Sequence, residues 1–251
     1  MTSENTVSNQ DTVADLDMDA SAPPSVSKDF EDFIYLISHD VRSSVRALIE
    51  LPQWLADDLK EAGVKMEGPV VETIDLMNRY TGRLDRMLVD LLVYSRIGNM
   101  QKVETISVAD ALAEVLDEIN VPLGFKVSSD VTDVKVEIGN RDILSLLTAL
   151  ISNAFKHHDT NNGTIHIAAR AEGDDMVLSV ADDGPGIVPE HYERVFAAMA
   201  TLRPRDEVEG SGMGLAIVRK IALHYGGTAV LSETSAGRGL TVTVRIPLTQ
   251  G

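Results

Sequence analysis

Two stretches of the N-terminal half carry apolar residues at alternating spacings of four and three, over residues 30–55 and 74–91. That spacing is typical of long helices that pack in bundles or coiled coils. Between them, "EAGVKMEGP" contains Gly63 and Pro69, and such residues interrupt a helix. The pattern therefore predicts two long helices joined by a short loop.

A hairpin of this kind has an apolar stripe on each of its helices. A single hairpin leaves much of both stripes in water, whereas pairing two hairpins buries them in a four-helix bundle. The sequence therefore predicts a homodimer that forms through the helical hairpin.

The rest of the chain, about residues 101–251, alternates short strand-like and helical segments. The segments "KVETISV", "GFKVSS", "TIHIAARAEGDDMVLSVADD", "TAVLSET" and "GLTVTVRIPL" predict strands. The segments "VADALAEVLDEI", "RDILSLLTALISNAFKHH" and "GLAIVRKIALHYG" predict helices, the last of which ends at a Gly-Gly cap. The predicted fold class is α+β: the hairpin, and hence the dimeric four-helix bundle, followed by an α/β sandwich with a mixed sheet.

Composition limits the partners of the chain. The net charge of −17 argues against nucleic acid, because phosphate backbones are bound by clustered Lys and Arg. The absence of cysteine excludes disulfides, thiol catalysis and zinc–thiolate sites. Residues 1–27 are polar and acidic, which predicts a disordered tail. With no basic leader and no long apolar run, we expect no membrane span and a cytoplasmic protein.

His39 interrupts an otherwise apolar periodicity. If Ile34, Ile37 and Val41 face the partner helix, His39 lies on the opposite side, where another molecule can reach it. Asp40 follows and can accept a hydrogen bond from one ring nitrogen, which leaves the other as a nucleophile. Histidine also occurs at exposed helix positions without any function. On these residues alone, both interpretations stay open.

Two further segments place polar groups beside glycines or along one helical face. In "TALISNAFKHH", Asn153 and Lys156 are one turn apart, so an oxygen ligand for a hard cation and an ammonium for an anion share a face. In "VADDGPGI", a strand leads into Asp182, and Gly184 and Gly186 allow close approach of the backbone. A buried carboxylate there can accept a hydrogen bond from an amine. An ordinary amphipathic helix and a plain turn are the competing interpretations.

The segment "EGSGMGLAIVRK" carries Gly210, Gly212 and Gly214 directly into a predicted helix. Backbone N–H groups at a helix N-terminus, with no side chains in the way, bind phosphate oxygens. The spacing does not match the P-loop, and the βαβ context of a dinucleotide site is missing. Alone, this segment is a weak signal.

The order of these features resembles the histidine protein kinases of two-component signalling over about residues 28–248. The resemblance implies a tail (1–27), a dimerisation and phosphoacceptor hairpin (28–98) and a Bergerat-type ATP-binding domain (101–251) of the gyrase, histidine kinase and MutL superfamily. The motifs "SHDVR" and "RPRDEVEGSGMGLAI" are similar to those of the phytochrome-like branch.

The resemblance also implies roles for the matching residues, with ATP as substrate and Mg²⁺ as cofactor. His39 matches the phosphoacceptor, and Asp40 matches the acid that polarises it. The implied ATP-binding residues are Asn153, which would also ligate Mg²⁺, Lys156, His157, Asp182, Gly184, Gly186, Gly210, Gly212 and Gly214. The phosphoryl group would then pass to an aspartate of a response-regulator receiver domain. The upstream sensor, or a partner that senses, is not identified by the sequence.

Three places depart from the family pattern. Ala149 stands where relatives often have a second asparagine, and Ser43 and Ser44 stand where Thr-Pro often follows the phosphoacceptor motif. The lid anchor, usually rich in Phe, is reduced to Phe196 with Met199. These departures leave two alternatives: a catalytically weak phosphotransfer or scaffold dimer, and a superfamily ATPase without kinase activity. The retained ATP-site residues oppose the first alternative, and the pair His39–Asp40 on a bundle helix opposes the second.

Overall fold

The computed structural model describes residues 26–99, 101–202, 210–234 and 237–249, with side chains from residue 41 onward. Most of the predicted tail (1–25) and the segment 203–209 lie outside the described residues.

The N-terminal part is a pair of long helices, α1 (Val26–Glu61) and α2 (Pro69–Arg96), which pack against each other. The loop between them reverses the chain at Gly63 and Gly68, whose φ angles of 74° and 59° lie in the left-handed region that favours glycine. Pro69 is the first residue of α2. Its missing N–H costs the helix nothing, because an N–H at that position has no partner within the helix. The prediction of two helices joined by a short loop is confirmed.

The apolar stripe of the hairpin is only partly covered within one chain. Ile74 and Leu88 of the stripe are buried, and so is Val45, which lies beside the predicted stripe of α1. Four other residues of the stripe keep 39–44% of their surface exposed: Leu48, Leu51, Leu55 and Leu84. Contiguous exposed apolar surface usually marks an interaction face. Pairing of two hairpins into a four-helix bundle stays a prediction.

The C-terminal part contains seven strands and three α-helices among the described residues. The strands are β1 (Val103–Ser107), β2 (Phe125–Val131), β3 (Lys135–Gly139), β4 (Gly163–Glu172), β5 (Asp175–Asp182), β6 (Thr228–Glu233) and β7 (Leu240–Pro247). The helices are α3 (Val108–Glu118), α4 (Asn140–Lys156) and α5 (Gly214–His224). Two 3₁₀ turns, Pro189–His191 and Arg194–Phe196, follow β5.

Five of the strands form a mixed sheet in the order β2-β4-β5-β7-β6. Strand β2 is parallel to β4, and the other neighbours are antiparallel. Strand β4 shows that one face of the sheet is covered: Ile165, Ile167 and Ala169 are buried, whereas His166 between them and Arg170 after them are exposed. Such alternation is the mark of a sheet with one wet face. The predicted α+β architecture is confirmed.

Strand β3 was not predicted; it pairs with β1 in a separate two-stranded sheet. Apolar and charged residues alternate over 134–138 in the sequence. The three apolar ones, Val134, Val136 and Ile138, are all buried.

The predicted Gly-Gly cap of α5 is confirmed. Gly226 N–H donates to Leu223 O at 3.1 Å and Gly227 N–H to Ala222 O at 2.7 Å, the paired hydrogen bonds of a Schellman motif.

Candidate functional site

Asp182 is the last residue of β5, where the strand leaves the sheet beside a glycine-rich turn. Its Oδ1 accepts hydrogen bonds from the N–H groups of Gly184 at 2.9 Å and Leu240 at 3.3 Å. Burial raises the pKa of Asp182, although these two hydrogen bonds act in the opposite direction. Neither bond uses Oδ2. The carboxylate is therefore held in place by backbone groups with one oxygen left for another donor.

A small cavity of about 60 Å³ lies against Asp182 and is otherwise mainly apolar. Its apolar lining consists of Leu150, Ala154, Val180, Pro185, Ile187, Leu215, Leu240 and Val242. It adjoins a larger cavity of about 370 Å³, because Asn153, His157 and Gly186 line both. A flat apolar ring with an amine at its edge is the kind of group that such a narrow slot and carboxylate would bind.

Glycines make the close packing at this end possible. Gly186 has a φ of 70°, and a Cβ there would lie 3.0 Å from the carbonyl oxygen of Gly239. Gly239 has a φ of 99°, and a Cβ there would collide with the carbonyl oxygen of Asp182. Gly184 does not line either cavity but holds Asp182 through its N–H.

One face of α4 forms a wall of the larger cavity. The opposite face carries the buried residues Ile143, Leu146, Leu147, Leu150 and Ile151. The cavity wall consists of Leu144, Ser145, Thr148, Ala149, Ser152, Asn153 and Lys156, followed by His157 at the end of the helix. Asn153 thus brings a carboxamide oxygen into the cavity, and Lys156 brings an ammonium group. Ala149 lies one turn before Asn153 and supplies no polar atom from its side chain.

The N-terminus of α5 forms the opposite wall, where Gly210, Gly212 and Gly214 all line the cavity. Gly212 has a φ of 74°, and a Cβ there would lie 2.7 Å from the carbonyl oxygen of Ala200. At Gly214 a Cβ would lie 2.7 Å from Oδ1 of Asn153. Among the described residues, nothing lies within 4 Å of a Cβ placed at Gly210, and its φ is not in the left-handed region. The first N–H groups of an 11-residue helix have no helical partner and suit an anion.

The hairpin supplies part of the wall beside this glycine segment. Asp90 and Val93 of α2 line the larger cavity. Ser211, which is buried, donates its hydroxyl hydrogen to Oδ2 of Asp90 and accepts the N–H of Met213 at 3.1 Å. Lys220 of α5 donates to the carbonyl oxygen of Tyr94 at 2.9 Å.

A second, buried contact fixes the end of α2 to the C-terminal part. Ile97 is 2% exposed, and the N–H of Gly98 donates to Oδ2 of Asp142 at 3.0 Å. The same oxygen accepts the hydroxyl hydrogen of Tyr225 at 2.7 Å, and Tyr225 accepts the N–H of Gly139 at 3.0 Å. Burial and the neighbouring Asp142 carboxylate raise the pKa of Tyr225.

His39 and Asp40 lie within α1, and their side chains are outside the described part of the chain. Counting along each helix from the loop, His39 and Asp90 are both roughly 32 Å away at 1.5 Å per residue. Since the two helices form one antiparallel hairpin, the two residues are at the same level. The wall that Asp90 gives to the cavity is thus at the level of His39.

The structure brings most of the predicted residues together around the joined cavities: Asn153, Lys156, His157, Asp182, Gly186, Gly210, Gly212 and Gly214. Sequence reasoning missed the polar residues Ser145, Thr148 and Ser152, although their helical spacing beside Asn153 was a usable signal. It also missed Asp90 and Ser211, which are 121 residues apart and lack a local pattern.

The family comparison agrees with this geometry. Residues 139–250 match the model of the family described as histidine kinase-, DNA gyrase B- and HSP90-like ATPase. The matched range contains α4, β5 and α5, together with the glycine segments that line the two cavities.

Relatives match over most of the chain. It is 31% identical over 227 residues to the methanogenesis regulatory histidine kinase FilI of Methanothrix harundinacea, covering 87% of this chain and 25% of that protein. It is 28% identical over 232 residues to the sensor-like histidine kinase SenX3 of Mycobacterium tuberculosis, covering 86% of this chain and 53% of that protein. The chain therefore spans about a quarter to a half of these curated relatives.

Solved structures show the same fold. Full-length ShkA in complex with AMPPNP matches with a TM-score of 0.65 at 19% identity, over 88% of this chain and 46% of that one. The histidine kinase ThkA in complex with the response regulator TrrA matches with a TM-score of 0.59 at 21% identity, over 89% of this chain and 64% of that one.

Residues 139–250 therefore form an ATP-binding domain of the histidine kinase, DNA gyrase B and HSP90 type, and over most of its length the chain is similar to sensor histidine kinases. Within the described residues, no helix combines the length and apolar character needed to cross a membrane. Nor does any cluster of three or more His, Asp or Glu there form a ready metal site.

Proposed function

We propose that this chain is an ATP-dependent protein-histidine kinase that autophosphorylates on His39 and passes the phosphoryl group to an aspartate of a response-regulator receiver domain. The observation that carries the proposal is the joined cavity. An apolar slot ends in the Asp182 carboxylate, and the adjoining space ends at a glycine-rich helix N-terminus. The division into hairpin (28–98) and ATP-binding domain (101–251) is part of this proposal.

The two ends of the cavity match the two ends of ATP. The adenine ring would occupy the apolar slot, with its amino group donating to Asp182. The triphosphate would then lie toward Gly212 and Gly214, where the N–H groups at the start of α5 and the Lys156 ammonium supply positive charge. His157 lines the same space.

Asn153 fits the role of a magnesium ligand. Its carboxamide is on the cavity wall between the slot and the glycine segment, and Mg²⁺ in phosphate sites takes few protein ligands besides phosphate oxygens and water. Bound Mg²⁺ would neutralise phosphate charge. A Cβ at residue 214 would lie 2.7 Å from Oδ1 of Asn153, so the glycine leaves the space that this amide occupies.

In the transfer step, a ring nitrogen of His39 attacks the γ-phosphorus of ATP. The new N–P bond forms as the bond from the γ-phosphorus to the β,γ-bridging oxygen breaks, and ADP leaves. Asp40 would hold the other ring N–H and so stabilise the positive charge that develops on the imidazole. Most of the rate gain in such a reaction comes from positioning and charge neutralisation. The phosphoryl group then moves from nitrogen to a receiver carboxylate.

A homodimer is the proposed assembly, because the half-exposed leucines of the hairpin need a partner of matching shape. A second hairpin of the same sequence offers that surface. Because its reaction needs ATP, the proposal places the protein in the cytoplasm.

Labelling with γ-³²P ATP tests the function. We expect label that remains on the protein through alkali, is lost in acid, and disappears in His39→Ala. The matched control is His166→Ala, because His166 is exposed on the wet face of β4, and it should label normally. Release of free phosphate without labelled protein would instead identify an ATPase, and no turnover would identify a scaffold. Chasing labelled protein with receiver domains tests the second transfer.

A further inference from the structure

Several contacts join α2 to the ATP-binding domain: Leu91, Val93 and Tyr94 pack against its core, and Lys220 donates to the carbonyl oxygen of Tyr94 at 2.9 Å. At the end of the helix, Ile97 is buried in the core and Gly98 is held by the buried carboxylate of Asp142. Two turns earlier, the contact is polar and partly exposed, with Ser211 donating to Asp90. Buried apolar contacts are costly to separate, whereas a single polar contact at the rim of a cavity is easily replaced by water. The Asp90 hydrogen bond lies at the rim of the cavity, beside the glycine segment, and is therefore suited to opening and closing.

Asp90 places a negative charge in an unusual position. Its carboxylate lines the cavity together with Gly210, Gly212 and Gly214, the segment where the proposed function places the phosphates. Phosphates and a carboxylate that share one cavity repel each other, most strongly where water is excluded. The same serine loop that holds Asp90 would also hold the nucleotide.

We propose that Asp90 is a positioning residue that makes nucleotide binding and docking of α2 on the ATP-binding domain mutually antagonistic. Without nucleotide, the Ser211–Asp90 hydrogen bond holds the glycine segment against the hairpin. With nucleotide, repulsion between the phosphates and the Asp90 carboxylate breaks that contact, and the domain turns about the buried anchor at residues 97–98. Loading of the nucleotide thereby releases the domain that must approach His39.

This inference rests on the proposed nucleotide site and adds a coupling to it. Coupling between two equilibria is reciprocal. If docking of Asp90 lowers the affinity for nucleotide by some factor, bound nucleotide weakens that docking by the same factor. Removing the charge should therefore change both properties together.

The variant Asp90→Asn removes the charge but keeps an oxygen that can accept the Ser211 hydrogen. We expect its affinity for the non-hydrolysable analogue β,γ-imido-ATP to rise roughly three- to tenfold by calorimetry, the size of about one like-charge contact at 4 Å that is fully screened by water. The gain should shrink at high salt. The matched control is Asp75→Asn, because Asp75 is exposed on the same helix, 15 residues away, and its affinity should stay within twofold of the parent.

Docking is measured directly by a distance between spin labels. The chain has no cysteine, so Asn78→Cys on α2 and Asp174→Cys in the turn between β4 and β5 give two unique labelling sites. Mixing with excess unlabelled chain leaves one labelled copy in each dimer, so the measured distance is the one within a chain. Saturating analogue should shift or broaden the distance distribution in the parent and much less in Asp90→Asn. Ser211→Ala should broaden it without nucleotide while raising the affinity less than Asp90→Asn does.

Equal affinities in Asp90→Asn and the parent, or a distance distribution that nucleotide leaves unchanged, would overturn the coupling while leaving the nucleotide site intact. Failure of the parent protein to bind the analogue at all would instead refute the proposed function. Thermal melting of each variant confirms that it is folded.

Discussion

Gly214 offers a sharp test of whether Asn153 is positioned for magnesium. A Cβ at residue 214 would lie 2.7 Å from Oδ1 and 2.8 Å from Nδ2 of Asn153, closer than real Cβ contacts allow. In Gly214→Ala the amide must therefore rotate away. A side chain forced about 30° off its rotamer costs roughly 0.5–1.5 kcal/mol. Replacing Gly by Ala gains about 1 kcal/mol in a helix interior, which is an upper bound for the first residue of α5.

These two terms nearly cancel in the free energy of unfolding. We therefore expect the Tm of Gly214→Ala to stay within about 4 °C of the parent, since about 1 kcal/mol shifts a domain of this size by roughly that amount. Nucleotide binding should respond differently, because an Asn153 side chain forced out of its rotamer can no longer contact the metal. We expect an affinity loss of about 10- to 100-fold in the presence of Mg²⁺, with each tenfold worth about 1.4 kcal/mol.

Calorimetric titration with β,γ-imido-ATP, with and without Mg²⁺, measures this effect. The matched control is Gly210→Ala, because a Cβ at Gly210 meets nothing within 4 Å, so its affinity should remain within about threefold. Asn153→Ala sets the scale of complete ligand loss. If Gly214→Ala keeps parent affinity and the same Mg²⁺ dependence, the assignment of Asn153 to magnesium is wrong.

Further predictions concern three other side chains. Asp182→Asn should lower nucleotide affinity at least tenfold; in the parent, affinity should fall as acid protonates Asp182, and at a higher pH than for an ordinary aspartate because burial raises its pKa. Asp183 accepts the N–H of Thr164 at 2.7 Å and contacts His158, and these hydrogen bonds outweigh burial and lower the pKa of Asp183 to about 2. Its stabilising contribution is therefore present above about pH 4 and lost as the pH falls toward 2, so urea unfolding of Asp183→Asn and the parent should differ at pH 7 and converge in acid. Among the described residues, Tyr192 has a buried hydroxyl without a hydrogen-bond partner, so Tyr192→Phe should raise the free energy of unfolding by about 1 kcal/mol, and a lower Tm would contradict this.

The fold could be predicted because its signals are local. A helix shows its periodicity within a few turns, and Gly63 and Pro69 mark the loop directly. The sequence did not reveal how much of the hairpin stripe one chain covers. Val45 and Leu51 both occur in the apolar N-terminal stretch, yet the first is 1% exposed and the second 44%, because burial depends on which face the partner helix occupies.

The same distinction between local signals and tertiary contacts applies to the candidate site. Asp182 and the glycines after it were found because they follow one strand, and the polar face of α4 because it follows one helix. Which glycines are sterically required could not be read from spacing, since Gly210, Gly212 and Gly214 recur identically. Only the structure shows that Gly212 faces the carbonyl oxygen of Ala200 while Gly210 faces open space.

The contacts that Gly98 and Asp90 make with the ATP-binding domain also constrain how that domain can reach the phosphoacceptor. Asp90 is already at the level of His39 along the hairpin, so movement along the helix axis is not required. The buried anchor at Gly98 and Asp142 limits translation, since breaking it would expose a carboxylate and an amide that now satisfy each other. What remains is rotation around the hairpin about residues 97–98. Such a rotation must break the Ser211–Asp90 hydrogen bond and displace Lys220 from the carbonyl oxygen of Tyr94. A substitution that weakens the anchor should therefore slow phosphorylation, whereas one that weakens the Asp90 contact should not.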